Sequence, residues 1–439
     1  MPIDYPLARP PDSTTSQLWR GRRFTPLFVT QFLGAFNDNA FKSALLILIA
    51  YGVLKAGTLS PALLVNLCAA LFILPFVLFS AAAGRLADSA DKAAIARATK
   101  LLEFAVMALG ALGFMLGSVA VLLLALFLMG LQSTLFGPVK YALLPQHLGA
   151  DELMRANGWI EAGTFVAILL GTVAGGLMAA GGDAARLPLG LACMTIAAAG
   201  YLASRWIPPA PPATPGRPSF GRPLADTGAI LRLARSERGP WLALLAISWF
   251  WFVGATFLTL LPVYTRDTLG GDEAVVTLLL GVFTVGVGLG AFLAARWCRG
   301  EARPAPVIAG AAGITLAGLD LWAGSPSTPG SAVGVAVFLA DPASLRVVFD
   351  CALVSVAGGL FSLPLYTHLQ QRCPLERLGR MIAALNVVNA GFMVAAAGFA
   401  AALLAAGAGV PEVWLATALL NLAVAGTIGL RWRRTQRAA

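Results

Sequence analysis

Residues 27–49 read Leu-Phe-Val-Thr-Gln-Phe-Leu-Gly-Ala-Phe-Asn-Asp-Asn-Ala-Phe-Lys-Ser-Ala-Leu-Leu-Ile-Leu-Ile. The run is long and apolar enough to cross a bilayer as a helix, which takes about 20 residues. Its middle is nevertheless polar. Asn37, Asp38 and Asn39 interrupt it, and Lys42 follows one helical turn after Asp38. Residues i and i+4 share a helix face, so Asp38 and Lys42 lie on one side. A charge at the centre of a bilayer helix costs about 2.5–3.5 kcal/mol on insertion scales, so it is kept for a partner or a task.

The rest of the chain extends this pattern. Of its 439 residues, 58% are hydrophobic and only 12% charged, about half the charge of a soluble domain. The apolar runs are continuous and near 20 residues long, which excludes the alternating ten-residue strands of a membrane β-barrel. Twelve spans are expected, over 27–50, 62–82, 98–117, 119–145, 158–180, 187–206, 241–264, 274–295, 305–323, 346–369, 379–405 and 411–431. The apolar loop Gly330–Leu345 reads as a re-entrant or interfacial piece. The fold class is an all-α membrane protein with twelve transmembrane helices.

The basic residues orient the spans. With the N-terminus inside, 25 of the 31 lysines and arginines fall in inner segments, Lys100 among them, and 4 fall outside. Lys42 and Lys140 lie within spans. This asymmetry follows the positive-inside rule and places both termini in the cytoplasm. The formal charge of +10 therefore reports topology and some attraction to anionic membrane lipid. Because it is divided among short loops, it argues against nucleic acid as a partner. Residues 1–26 read as a cytoplasmic tail before a retained first helix, without a cleavable signal.

Residues 207–223 hold seven prolines, a density that ends a helix and makes a semi-rigid spacer. Leu224–Arg238 is amphipathic and basic and is expected along the inner surface. The domains are thus a tail (1–26), a six-helix bundle (27–206), a cytoplasmic linker (207–240), a second six-helix bundle (241–431) and a tail (432–439). Echoes support a duplication. Phe32-Leu33-Gly34-Ala35 recurs as Phe252-Val253-Gly254-Ala255, and Pro138 and Tyr141 have counterparts in Pro364 and Tyr366.

Several sites carry chemistry or exclude it. Gly84-Arg85-Leu86-Ala87-Asp88 follows the second span. The glycine is expected to allow a tight turn at a helix end. Asp88 either caps the next helix or pairs with an arginine across the interface of the halves. Lys140 and Tyr141 lie in the fourth span, and Glu161 lies near the start of the fifth. The second half offers the amides Gln370, Asn386 and Asn389 on an otherwise apolar wall. That asymmetry suits a zwitterion with a greasy tail better than a sugar. Gly171, Gly175 and Gly176, with Gly281, Gly286, Gly288 and Gly290, are expected to bring helices close. Trp249 and Trp251 are cavity aromatics or packing residues. The five cysteines, Cys68, Cys193, Cys298, Cys351 and Cys373, are scattered without metal or disulfide spacing, and no cofactor is expected. No nucleotide-binding glycine-lysine loop occurs. A His-x4-Asp acyl-transfer motif is missing too, since Glu152 follows His147 and Cys373 follows His368 at that spacing. An enzyme is not expected.

Three motifs together resemble one family. They are Gln31-Phe32-Leu33-Gly34-Ala35-Phe36-Asn37-Asp38-Asn39-Ala40-Phe41-Lys42, Phe136-Gly137-Pro138-Val139-Lys140-Tyr141-Ala142-Leu143-Leu144-Pro145, and Arg155-Ala156-Asn157-Gly158 with Glu161-Ala162. With Asn386 and Asn389 they resemble the bacterial lysophospholipid transporters, a branch of the major facilitator superfamily. The likeness covers roughly 25–430 and is looser in the second half. The Asn-Asp-Asn and Lys form is similar to the transporter part of acyltransferase fusions. The resemblance implies two six-helix bundles and alternating access. It implies inward movement of lysophospholipid, typically lysophosphatidylethanolamine, for reacylation by a separate acyltransferase. Helices one, four, seven and ten line the cavity in that fold, so Asp38 and Lys140 are expected to face each other, as an ion pair or as a ligand site. Asn37, Asn39, Lys42, Tyr141, Glu161, Asn386 and Asn389 complete the expected site. Gly84, Arg85 and Asp88 form the expected gate, whereas a second copy around Arg296–Pro306 is degenerate. Two rival readings stand beside this: a proton-coupled exporter of an amphiphile, and a membrane-embedded lipid enzyme.

Overall fold

A computed structural model describes residues 18, 19, 21–54, 57, 59–212, 223–326 and 333–437. The first six long helices are α1 (Thr25–Ala50), α2 (Pro61–Ser89), α3 (Lys92–Leu116), α4 (Val119–His147), α5 (Ala150–Ala179) and α6 (Arg186–Ser204). A shorter helix, α7 (Pro223–Ser236), comes next. It is followed by α8 (Arg238–Asp267), α9 (Glu273–Cys298), α10 (Pro304–Ala323), α11 (Val335–Ala340), α12 (Pro342–Arg372), α13 (Leu375–Ala405) and α14 (Val410–Arg437). Twelve helices, all but α7 and α11, are long and apolar enough to cross a membrane, and each contains or overlaps one expected span. Local chemistry sets their ends. The Ser60 and Asp91 side chains accept from the Leu63 and Ala94 amides at the starts of α2 and α3. Gly117, at φ 61°, closes α3 in the left-handed region.

Contacts group the chain into two units. The first comprises Met1–Ala156, Val166–Arg238 and Gln370–Ala390. Its core is a cluster around Phe41, Leu45, Met107, Phe114, Leu122 and Met129, contributed by α1, α3 and α4 and closed by Cys193 of α6. Gly171 and Gly175 of α5 sit against the backbone oxygens of Phe36 and Ala40, so α5 and α1 touch main chain to main chain. The linker helix α7 buries Thr227, Ile230 and Ala234 along one face. The Thr227 hydroxyl donates to the Val77 carbonyl, and Asp226 pairs with Arg85 at 2.8 Å, fastening α7 to α2. Residues 213–222 of the proline-rich segment and 1–17 of the tail lie outside the described residues.

The second unit comprises Asn157–Phe165, Gly239–Leu369 and Gly391–Ala439. Trp414 anchors it, 5.0 Å from the Phe257 ring and 4.5 Å from that of Tyr264. Asn421 accepts from the Trp249 indole at 2.9 Å and donates to Ala311 and Thr315, so Trp249 is a packing residue. Gly286 and Gly290 press on Ser355 and Val356 of α12, whereas Gly281 faces open space and brings nothing close. In the loop expected to be re-entrant or interfacial, α11 is one six-residue helix, about 9 Å long and too short to cross a bilayer. It is tethered where Val333 exchanges backbone hydrogen bonds with Gly270 and Asp272. Gly330 itself lies outside the described residues.

Candidate functional site

The polar break of α1 is the edge of a larger buried network in the first unit. Glu103 of α3 is 1% exposed and collects three donors. Lys100 Nζ lies 2.5 Å away, Gln132 Nε2 of α4 lies 3.1 Å away, and Asn37 Nδ2 lies 3.3 Å away. Lys100, also 1% exposed, was expected in an inner loop; it is instead buried within α3, 5.0 Å from the Phe136 ring. Gly34 explains itself here, because a Cβ at this position would meet the Lys100 ammonium. The motif glycine leaves space for a buried cation.

Asp38 sits beside this network and accepts from Ser133 Oγ at 2.7 Å, while its other oxygen has no hydrogen-bond partner. The expected pairing with Lys140 is not formed. Among the described residues no ion pair joins Asp38 to Lys140 or to Lys42. Helix geometry gives the reason. Lys140 stands two turns beyond Ser133 on α4, a rise of about 10 Å, which exceeds the reach of the side chain. Its ammonium instead lies 4.9 Å from the Tyr141 ring. Lys42 leaves its i+4 partner and lies over the Phe72 ring of α2 at 4.3 Å. Two cations and one carboxylate therefore line α1 and α4 without a direct ion pair among them.

The remaining expected residues divide into two groups. Asn39 donates to Ala35 of its own helix at 2.7 Å. Asn386 of α13 presses its amide on Gly137, where a Cβ would come within 2.7 Å, and its nitrogen is buried without a partner. Gln370 donates to the Tyr141 carbonyl at 3.0 Å. Asn389 lies one turn after Asn386, half-buried. Glu161 belongs to the second unit. It accepts from Ser362 of α12, and its second oxygen is buried without a partner. Asn157 meets Thr367 at 3.3 Å on the same pair of helices. The Trp251 indole donates to Tyr366 at 3.1 Å and stacks on Phe165, which makes an aromatic wall. Glu161 is therefore buried rather than interfacial.

The expected gate residues have a different basis from the one expected. Gly84 is not at a turn: α2 runs through it to Ser89. A Cβ there would come within 2.8 Å of Ala383 and of the Arg380 backbone, so the glycine serves a helix crossing. Asp88 caps nothing, since Asp91 caps α3. It accepts from the Gly379 amide at 2.7 Å, the Arg380 amide at 3.2 Å and Arg380 Nε at 2.7 Å. Of the two alternatives for Asp88, the arginine pair is the one formed. Arg85 instead holds α7.

Sequence reading missed Lys100, Glu103, Gln132 and Ser133. The signal was present, since Lys100 and Glu103 share a face at i and i+3 inside an apolar run. Among the described residues no group of His, Cys, Asp and Glu is placed to hold a metal ion, and all five cysteines are free and buried.

The profile of the Major Facilitator Superfamily matches residues 27–398. A lysophospholipid transporter LplT from Serratia proteamaculans is 30% identical over 359 residues, covering 80% of each chain. Its counterpart from an Enterobacter species is 29% identical over 368 residues, covering 82% of each. Among solved structures, the Escherichia coli fucose:proton symporter FucP superposes with a TM-score of 0.67 at 16% identity, over 93% of this chain and 97% of that one. A bacterial homologue of the iron transporter ferroportin gives 0.62 at 18% identity, over 93% and 99%. These two likenesses establish the fold. The twelve membrane helices, the superfamily match and the relatives together place the chain in the major facilitator superfamily, in the family of the bacterial lysophospholipid transporters.

Proposed function

We propose that this chain moves lysophospholipids, lysophosphatidylethanolamine first among them, inward across the bacterial inner membrane by alternating access. Both termini would be cytoplasmic, and a separate acyltransferase would consume the delivered lipid. The observation that carries the reading is the set Asp38, Lys42 and Lys140 on α1 and α4, among which no direct ion pair forms and where one Asp38 oxygen has no hydrogen-bond partner. It occurs in a chain 30% identical to proteins named lysophospholipid transporters. Buried charge without a counter-charge is costly, and a headgroup carrying one charge of each sign relieves it. Lys140 and Lys42 would take the phosphate through charge-assisted hydrogen bonds. Asp38 would take the ammonium, and the amides of Asn37, Asn39, Asn386 and Asn389 would take the glycerol oxygens. The single acyl chain would lie on apolar helix surface. Because no Asp38–Lys140 pair exists to be broken, coupling would come from bringing in the missing counter-charges. The Asp88–Arg380 latch would open in the same cycle.

The test is uptake of labelled lysophosphatidylethanolamine into proteoliposomes by wild type, Asp38→Asn and Lys140→Ala. Each variant is expected to lose at least about tenfold, the worth of one charge-assisted hydrogen bond. Wild-type uptake by both variants overturns the site assignment. A proton-coupled amphiphile exporter is the second reading, favoured by the free carboxylate oxygens of Asp38 and Glu161. Transport abolished by an uncoupler, and indifferent to competing lysolipid, would select it.

A further inference from the structure

Where a second copy of the gate motif would stand, α9 ends in a different device. Its last turn reads Arg296-Trp297-Cys298-Arg299-Gly300. Arg299 has φ 51°, the one non-glycine residue with positive φ among those described, and Gly300 follows at φ 92°. Residues with a side chain rarely adopt that left-handed backbone, which ends α9 at this point. The result is a recess of about 670 Å³ lined by Leu293, Arg296, Trp297, Arg299 and Leu360, all in the second unit.

Two features separate this recess from an ordinary topology signal. An arginine that only marks the inner side needs nothing but water, yet here two arginines share walls with an indole and two leucines. Neither makes an ion pair among the described residues, and the nearby Glu301 pairs with neither. Above the recess, α9 exposes Val285, Leu289, Phe292 and Leu293 in one continuous apolar stripe. A basic cradle beneath an apolar stripe has the polarity of one lipid molecule, headgroup at the arginines and acyl chain along the helix. Two positive charges favour a headgroup with net negative charge, because a zwitterion would bring its own ammonium against them.

We infer that the recess at the end of α9 binds the phosphate headgroup of an anionic membrane phospholipid, held by Arg296 and Arg299 with Trp297 at the lipid–water boundary. This site belongs to the second unit and the polar residues of α1 and α4 to the first, and it stands whether or not the chain transports lysolipid. The full-length protein in nanodiscs tests it, using phosphatidylglycerol or phosphatidylcholine with brominated acyl chains in a common unbrominated background. Bromine quenches tryptophan at short range. The anionic lipid is expected to quench more than the zwitterionic one. That excess is expected to vanish in Trp297→Phe and to fall about twofold or more in Arg296→Gln/Arg299→Gln, while Arg296→Lys/Arg299→Lys keeps most of it. Equal quenching by the two lipids overturns the inference, as does an excess that persists in Trp297→Phe. If the double glutamine variant does not fold, the comparison of wild type with Trp297→Phe still decides. Added inorganic phosphate is expected to leave the excess in place; its loss would make the recess a site for free phosphate and overturn the lipid assignment.

Discussion

Lys100 and Glu103 form a buried ion pair inside α3. Both are 1% exposed, and Glu103 also satisfies Asn37 and Gln132, so three helices meet at one carboxylate. Removing one member of a buried pair leaves a charge without compensation, at about 3–5 kcal/mol, whereas removing both is often close to neutral. Glu103→Gln is therefore expected to cut thermal stability in detergent sharply. Lys100→Met with Glu103→Gln is expected to recover most of it. A double-mutant cycle measured by thermal unfolding checks this, and additive losses would dissolve the proposed coupling. At this scale the sequence was only partly legible. The polar break at Asn37–Lys42 was plain because charges stand out in an apolar run, but their partners depended on heights along helices. Asp38 lies level with Ser133 and not with Lys140, a relation that spacing within α1 cannot reveal. The reason for a glycine at 34 is likewise visible only in the fold, where the Lys100 ammonium fills the space a Cβ would take.

Among the elements, the crossing of α2 and α13 is the part that the proposed alternating access would open. Gly84 and Gly379 face each other with no room for a Cβ, and Asp88 then ties the same crossing with two amides and a guanidinium. The close approach and the polar latch are separable. Asp88→Asn keeps the packing and removes the charge, so it is expected to loosen the crossing. Gly84→Leu forces the backbones apart and is expected to loosen it further. Cysteine pairs placed on α2 and α13 for cross-linking should show lower yield in both variants than in the parent, with Gly84→Leu the lower. Unchanged yields would mean that the latch does not hold these helices. The gate residues were readable from sequence through the resemblance to the major facilitator transporters. Their physical basis was not, since a turn glycine and a crossing glycine look alike without the second helix. Helix ends were legible to within a few residues at Ser60 and Gly117, whereas the Asp91-capped start of α3 lies six residues before the expected span, and α11 was legible only as a re-entrant or interfacial piece because six residues carry too little periodicity.

For the whole molecule, composition alone was enough for the fold class: continuous apolar runs and the clustering of arginine in alternate loops leave room for little but a twelve-helix membrane protein. The cargo is a finer matter, resting on charge at α1 and α4 without a direct ion pair and on the names of the relatives. A molecule built around that charge should prefer solutes that bring both signs together on a single tail. The decisive measurement is uptake of labelled lysophosphatidylethanolamine into proteoliposomes holding the purified chain, against protein-free liposomes, with unlabelled competitors. The account predicts uptake above the protein-free level, abolished by excess lysophosphatidylethanolamine and untouched by a single-chain cationic amphiphile that lacks phosphate. Uptake no greater than in protein-free liposomes, or competition by the cationic amphiphile but not by the lysolipid, would contradict it.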